Sequence, residues 1–219
     1  MALTRDAIVQ SALGLLDDEG LDGLTLRALA ERLGVQAPTL YWHVRNKAQL
    51  LDLMAEAIVR ADADAADDVP RPGQPWEDWL AASYRRLRRA LLSRRDAALV
   101  VAGNRPTPDS AAHVERTLGA LVAVGFAPAE ALRAILALGH FTLGEAVEVQ
   151  RSADRGDDDP EVARAREASV LSGEFPHLAA AATGMGDDDE RFEDGLALMI
   201  DGLRARLAAR RAGGVPSAT

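Results

Sequence analysis

Leu24–Lys47 reads LTLRALAERLGVQAPTLYWHVRNK, and its spacing resolves into two short helices joined by a turn. Leu26, Leu29, Ala30 and Leu33 recur at i, i+3, i+4 and i+7, one apolar helical face that Gly34 closes. Gly34, Val35 and Gln36 form the turn. Pro38 then falls in a first helical turn, where it has no N–H to lose, and the second helix is expected to run through Tyr41 to about Val44. Two helices joined by a short turn containing glycine make a helix-turn-helix, whose second helix can enter a DNA major groove. With Leu40 and Val44 facing inward, a step of about 100° per residue sets Trp42 nearly opposite them, and Pro38, Thr39 and Arg45 share that outer side. Trp42 is therefore expected to be exposed. The Thr, Tyr, His and Lys side chains around it are of the kinds that reach phosphates and base edges. The competing reading is a Tyr41–Trp42 pair capping a small core, with His43 a solvated residue at the helix end.

The 219 residues are 48% hydrophobic and 4% aromatic, with no cysteine, enough for one or two compact domains with a sizeable core. The absence of cysteine excludes a disulfide framework and a thiolate metal site and fits a reducing compartment. No apolar run approaches the ~20 residues that span a bilayer, and no signal-peptide pattern is present, so a cytoplasmic location is expected. A net charge of −9 argues at first against nucleic acid. Between positions 27 and 47, however, Arg27, Arg32, Arg45 and Lys47 face a single acid, Glu31, while acids collect elsewhere, at Asp17, Asp18 and Glu19 and at Asp62, Asp64, Asp67 and Asp68. A small positive patch on an acidic body favours one docking face over general adhesion to polyanions.

Outward from that stretch the chain reads as helices throughout. Thr4 caps a first helix to about Glu19, with Ile8, Ala12, Leu15 and Leu16 facing in and Gly20 ending it. Asn46 caps a fourth helix from Lys47 to about Arg60, with an apolar stripe of Leu50, Leu51, Met54, Ala57 and Ile58. Residues 62–75, DADAADDVPRPGQP, mark a boundary. Beyond it, Trp76, Trp79, Leu80, Ser83, Tyr84, Leu87 and Leu91 hold one face of a helix to about Ser93, with Arg85, Arg86, Arg88 and Arg89 on the other side. Those arginines read as a solvated face or as partners in ion pairs before they read as a second nucleic-acid surface. A short helix from Asp96 to Val101 follows, then helices from Pro108 to about Val124 and from Pro128 to about Ser152. Further expectations are a loop from Asp154, a short helix from Ala163 to Leu171, a loop over 183–189 and a last amphipathic helix from about Glu190 to Arg210. No strand signal is convincing. The fold class is all-α: a three-helix helix-turn-helix domain over 1–47, a connecting helix and linker over 48–68, and a larger helical bundle over 69–219, with about ten helices in all.

The segment LTRDAIVQSALGLLDDEGLDGLTLRALAERLGVQAPTLYWHVRNKAQLLD, and most specifically PTLYWHVRNK, resembles the DNA-binding domain of the tetracycline repressor family of bacterial transcription regulators. ALLSRRD at 90–96, GNRPT at 103–107 and GHFTLGEAVE at 139–148 resemble the effector domain of its tetracycline-binding members. The resemblance implies a homodimer on a palindromic operator, joined by a four-helix bundle of the Pro128–Ser152 and Glu190–Arg210 helices and released by a small molecule. It assigns Arg27 to a base edge, where a guanidinium suits guanine O6 and N7. Pro38 and Tyr41 would make apolar base contacts, and Thr39, Trp42, His43 and Lys47 would bind or flank phosphates, with Thr25 and Ala37 completing the surface. Ala37 departs from the tetracycline-binding members, which have an adenine-reading Gln there, so the resemblance does not assign the operator sequence; Gln36 is one residue away.

The effector site departs further. Val101 stands where tetracycline-binding members have a metal-ligating histidine, and an apolar side chain cannot ligate a hard divalent cation. Their second ligand-binding histidine falls in ADADAADD, which has none. Ser83 and Leu87 replace Asn and Phe, Thr117 replaces Gln, and Asn104 replaces Thr, while Arg105, Pro106, His140 and Glu148 persist. A pocket between the fifth, seventh and eighth helices that takes a metal-free, largely apolar or polycyclic compound is expected, with a buried Arg105 or His140 orienting one polar group. The plainer reading of Leu87, Val101 and His140 is ordinary core packing, and Glu148 must be paired or exposed. No cofactor is expected. Catalysis has no constellation to rest on: G-x-S-x-G, H-E-x-x-H and phosphate loops are absent, and Glu174-Phe-Pro-His177 is interrupted by proline. The alternative within regulation is a DNA-binding dimer without a small-molecule effector.

Overall fold

The computed structural model describes residues 3–61, 65–103, 107–154, 175–182 and 184–212. Among them are ten α-helices, one 3-10 turn and no strand, and no helix is long and apolar enough to cross a membrane.

Helix α1 (Arg5–Gly23) starts where Thr4 Oγ1 accepts the Ala7 N–H at 3.2 Å, and it buries Ile8, Ala12, Leu15 and Leu16. Gly20 breaks the helical path with φ 72° and ψ −179°, a left-handed φ that favours glycine, and one further turn follows. Helix α2 (Leu26–Leu33) starts at Thr25, which accepts the Ala28 N–H, and ends at Gly34. Helix α3 (Ala37–Tyr41) is shorter than its sequence suggests, because Trp42 already caps it. Val44 N–H still bonds Leu40 O at 3.0 Å, so Leu40 and Val44 are both buried as expected. Helix α4 (Lys47–Arg60) opens on Asn46, whose Oδ1 accepts the Gln49 N–H at 2.8 Å.

The stretch after α4 is not merely a solvated boundary. The 3-10 turn Ala65–Asp68 buries Asp68, which accepts from Arg116 Nε at 2.7 Å and faces His113 Nδ1 at 2.7 Å. Trp79 Nε1 donates to Asp67 O at 2.9 Å. The connection is thereby anchored to α5 (Trp76–Leu92) and α7 (Pro108–Val124). Between these lies α6 (Ala97–Val101), and after them come α8 (Pro128–Asp154), α9 (Pro176–Ala182) and α10 (Asp188–Ala212). Helix α10 begins two residues before the expected Glu190. Asp187 and Glu190 cap each other's N–H groups, Glu190 N–H to Asp187 Oδ1 at 2.9 Å and Asp187 N–H to Glu190 Oε2 at 3.1 Å, a reciprocal start that composition reads as loop. The helix expected over 163–171 lies outside the described residues.

Two main cores result. One joins α1, α2, α3 and α4 with Ala97 and Val100 of α6. The other joins Trp79, Leu80 and Tyr84 of α5, Leu121 of α7, Leu138 of α8 and Phe192, Leu196 and Ile200 of α10. Burial pushes the Tyr84 phenol well above its ordinary pKa, and as a neutral donor it bonds Ile135 O at 2.8 Å. Two of the four arginines of α5 make intramolecular ion pairs, Arg85 with Glu193 and the half-buried Arg88 with Glu145 and Asp189, while Arg86 donates to Asp67 O and Ser83 Oγ.

Two predictions follow from this packing. A Cβ on Gly195 would stand 2.5 Å from Phe141 Cζ, and that ring is stacked on the buried Phe192 at 5.5 Å. Alanine ordinarily gains about 1 kcal/mol over glycine in a helix, but here the displaced ring decides the sign. Gly195→Ala should lose about 1–3 kcal/mol in urea unfolding, and an unchanged or raised midpoint would contradict this packing. At Asp68, burial alone would raise the carboxyl, but the hydrogen bond from Arg116 and the charge and hydrogen bond of His113 outweigh it and hold the group below its ordinary value. A folded pKa below the unfolded one gives stability that is present above about pH 4 and disappears as pH falls through the folded value. Asp68→Asn should therefore destabilise at neutral pH, and its difference from wild type should shrink in acid melts below about pH 4. A difference that stays constant into acid excludes this role.

Candidate functional site

Three short segments converge at the end of the N-terminal unit: the starts of α2 and α4, and the whole of α3 with the residues after it. The burial of Leu40 and Val44 forces the intervening side chains outward. Trp42 is 88% exposed and Tyr41 52%, and Ala37, Pro38 and Thr39 are exposed beside them, so the pair does not cap the core. Helix α3 has no side-chain cap from Gln36, and Gln36 is itself exposed. His43 and Lys47 are half-buried, and the Lys47 ammonium donates to Leu21 O at 3.2 Å. Thr25 is exposed, with its hydroxyl occupied as the α2 cap.

The electrostatics are less positive than a count along the chain suggests. Arg27 Nε is paired with Glu31 at 3.0 Å on an open surface, and Arg32 with Asp18 of α1 at 2.5 Å. Only Glu31 of these acids lies within the counted window; Asp18 is brought in by the packing of α1 on α2. Arg27 uses one edge of its guanidinium, which leaves the terminal amino groups available to a planar acceptor.

The second set of residues divides. Leu87 and Val101 pack on the same small cluster, Leu91, Ala98 and Ala146. Thr117 is buried, and Ser83 Oγ donates to Trp79 O at 2.9 Å within α5. Asn104, Arg105 and Pro106 lie outside the described residues. His140 and Glu148 do not join this group inside the subunit: both are exposed, which corrects the expectation of a buried His140. The reason is the register of α8, which turns Ala134, Leu138, Thr142 and Ala146 inward and so sets Leu136, His140, Gly144 and Glu148, four residues apart, along the outer side. That side and α10 form a groove of about 900 Å³ lined by Leu136, Ala137, His140, Leu198, Gly202 and Arg206, among others. Leu198 is 74% exposed. It escapes notice in the sequence because it stands off the single amphipathic stripe of α10, which in fact carries apolar side chains on two faces.

Comparison with known proteins covers both parts of this arrangement. Residues 8–54 match the family model "Bacterial regulatory proteins, tetR family" and residues 69–207 the model "Tetracyclin repressor-like, C-terminal domain". The tetracycline repressor protein class A from transposon 1721 of Escherichia coli is 39% identical over 216 residues, 97% of this chain and 96% of that protein. Among solved structures, ActR of Streptomyces coelicolor in complex with actinorhodin superposes with a TM-score of 0.82 at 33% identity, covering 94% of this chain and 99% of that one. TetR class A in complex with 5a,6-anhydrotetracycline and magnesium gives 0.71 at 33% identity, covering 93% and 99%. A helix-turn-helix presenting an outward indole, set on a helical C-terminal domain and matched along nearly its whole length by repressors, makes this chain a member of the tetR family of DNA-binding bacterial regulators.

Proposed function

We propose that the protein is a repressor that binds a palindromic operator as a homodimer and is released by a small-molecule effector other than magnesium–tetracycline. The observation that carries the DNA reading is the exposure of Trp42 on the far side of a helix whose Leu40 and Val44 are buried. An indole left in water at the tip of a helix-turn-helix adds nothing to the core and is available to a sugar–phosphate backbone. Around it, Pro38 and Tyr41 would touch bases, Arg27 would read guanine with its free guanidinium edge, and Thr25, Ala37, Thr39, His43 and Lys47 would border the phosphates. The groove between α8 and α10, with Leu136 and Leu198 open to water, supports pairing with a second copy, because exposed apolar surface of this kind marks an interface. A twofold pair sets two α3 helices one DNA turn apart, ~34–36 Å.

The effector reading rests on donor chemistry. Val101 and Leu87 offer a magnesium ion no oxygen or nitrogen, and their neighbours Leu91, Ala98 and Ala146 offer none either, so the residues present do not fit that metal. Ser83 and Thr117 are polar groups that could orient a largely apolar ligand, together with Arg105, Asn104 and Pro106. Release follows if the effector favours an arrangement of the bundle that shifts α4 and so changes the separation of the two α3 helices.

Duplexes recovered by the purified protein from a randomised pool should be palindromic. Trp42→Ala should weaken binding to them while leaving unfolding free energy within about 0.5 kcal/mol of wild type. Recovery of no duplex, or a large loss of stability in that variant, contradicts the reading. Tetracycline with magnesium should leave the recovered complex intact, whereas a metal-independent polycyclic compound that raises the melting temperature should dissociate it. If compounds that bind tightly never change operator affinity, the protein is a regulator without an effector.

A further inference from the structure

Leu21 follows the break at Gly20, and neither of its backbone polar groups can be satisfied along the chain. Gly20 is off the helical path, so the Leu21 N–H begins a new turn with no preceding helical carbonyl. Its C=O would need the Thr25 N–H, but Leu24 between them is extended, with φ −71° and ψ 96°, and carries that N–H off the helical path. Both groups are taken by distant side chains. Asp96 Oδ2 accepts the Leu21 N–H at 2.7 Å, and Lys47 Nζ donates to Leu21 O at 3.2 Å. One peptide segment thus joins the turn between α5 and α6 to the first residue of α4.

The partner turn is itself unusual. Asp96 has φ 54° and ψ 11° and is the sole non-glycine residue with positive φ among the described residues, a conformation that persists where the surroundings over-determine it. What determines it here is Gln150 of α8. Its Nε2 donates to Leu91 O at 2.9 Å and to Arg94 O at 2.7 Å, and its Oε1 accepts the Ala98 N–H at 3.2 Å. On the other side, Arg94 pairs with Asp17 of α1 at 2.5 Å, and the Arg95 guanidinium lies 3.0 Å from where a Cβ on Gly20 would stand.

We infer that Asp96 and Gln150 are positioning residues for DNA recognition, forming a polar strut that runs from α8 through the α5–α6 turn and the Leu21 peptide to Lys47. The apolar contacts of α6 with the N-terminal core hold the two units together but are non-directional. Hydrogen bonds with fixed acceptors set the angle, and the angle sets where Lys47 and α3 meet a duplex. The inference rests on the DNA-binding reading above.

The test is a double-mutant cycle on the full-length protein, using the duplex that wild type recovers from a randomised pool. Asp96→Gly removes the carboxylate yet tolerates the left-handed backbone, and Lys47→Met removes the ammonium. Losing a hydrogen bond to a charged group should cost Asp96→Gly about tenfold in affinity for the recovered duplex. Binding to random-sequence duplex should be unchanged. In the Lys47→Met background the same substitution should cost less than about twofold, because the two act through one peptide. Gln150→Leu, which keeps volume and removes the bonds, should repeat the pattern and stands in if Asp96→Gly does not fold. Equal losses in both backgrounds, or no loss, overturn the strut while leaving DNA binding intact; a wild-type protein that recovers no duplex overturns both.

Discussion

A five-residue helix with two owners governs this structure. Helix α6 sends Ala97 and Val100 into the core of the N-terminal unit and Ala98 into the cluster of Leu91 and Ala146. It is far too short to persist alone, since isolated helices below about 12–15 residues are marginal in water, so it exists only while both sides pack on it. Alanine at two of its positions lets the flanking helices approach closely. The same burial ties the two units together: the N-terminal core and the small cluster of Leu91 and Ala146 would each lose a member if they moved apart.

Helix α8 carries the complementary duty. Its inner side is built from Ala134, Leu138, Thr142 and Ala146, with the Thr142 hydroxyl turned back to Leu138 O at 2.9 Å, so its one buried hydroxyl costs the core no unsatisfied group. The outer side carries Leu132 and Leu136 together with His140 and Glu148, all exposed. A helix apolar on one side and mixed on the other is stable within a subunit and still has a face left to present. Gly195 of α10 brings that helix against Phe141. A residue at either end of α8 thus has a different correspondent: Glu130 an arginine of α10 at 2.7 Å, Gln150 the turn before α6.

Much of this was legible in the order of residues. Capping chemistry is local, so Thr4, Asn46 and Pro108 announced their helices and Gly34 the end of α2, whereas α1 resumes for one turn beyond Gly20. The outward placement of Trp42 followed from angular spacing, because Leu40 and Val44 leave a helix of that length no other way to turn. The family, too, was carried by PTLYWHVRNK and the motifs after it. Other features were hidden. Asp68 looked like one acid among several in a linker, but its burial depends on Arg116 and His113, more than forty positions away. The apparent positive patch was reduced by Asp18, which no window along the chain includes.

What the sequence determined by itself is most of the helices, the caps at Thr4 and Asn46, and the helix-turn-helix with its exposed indole, since each depends on interactions within about a turn of the residue concerned; α9 and the Asp187 start of α10 were not among them. Only the tertiary structure decided that α6 is shared, that His140 and Glu148 face outward, and that the Leu21 peptide is held by Asp96 and Lys47. Those outcomes depend on the register of one helix against another and on which distant side chain reaches an orphaned backbone group, and neither is encoded at any fixed spacing.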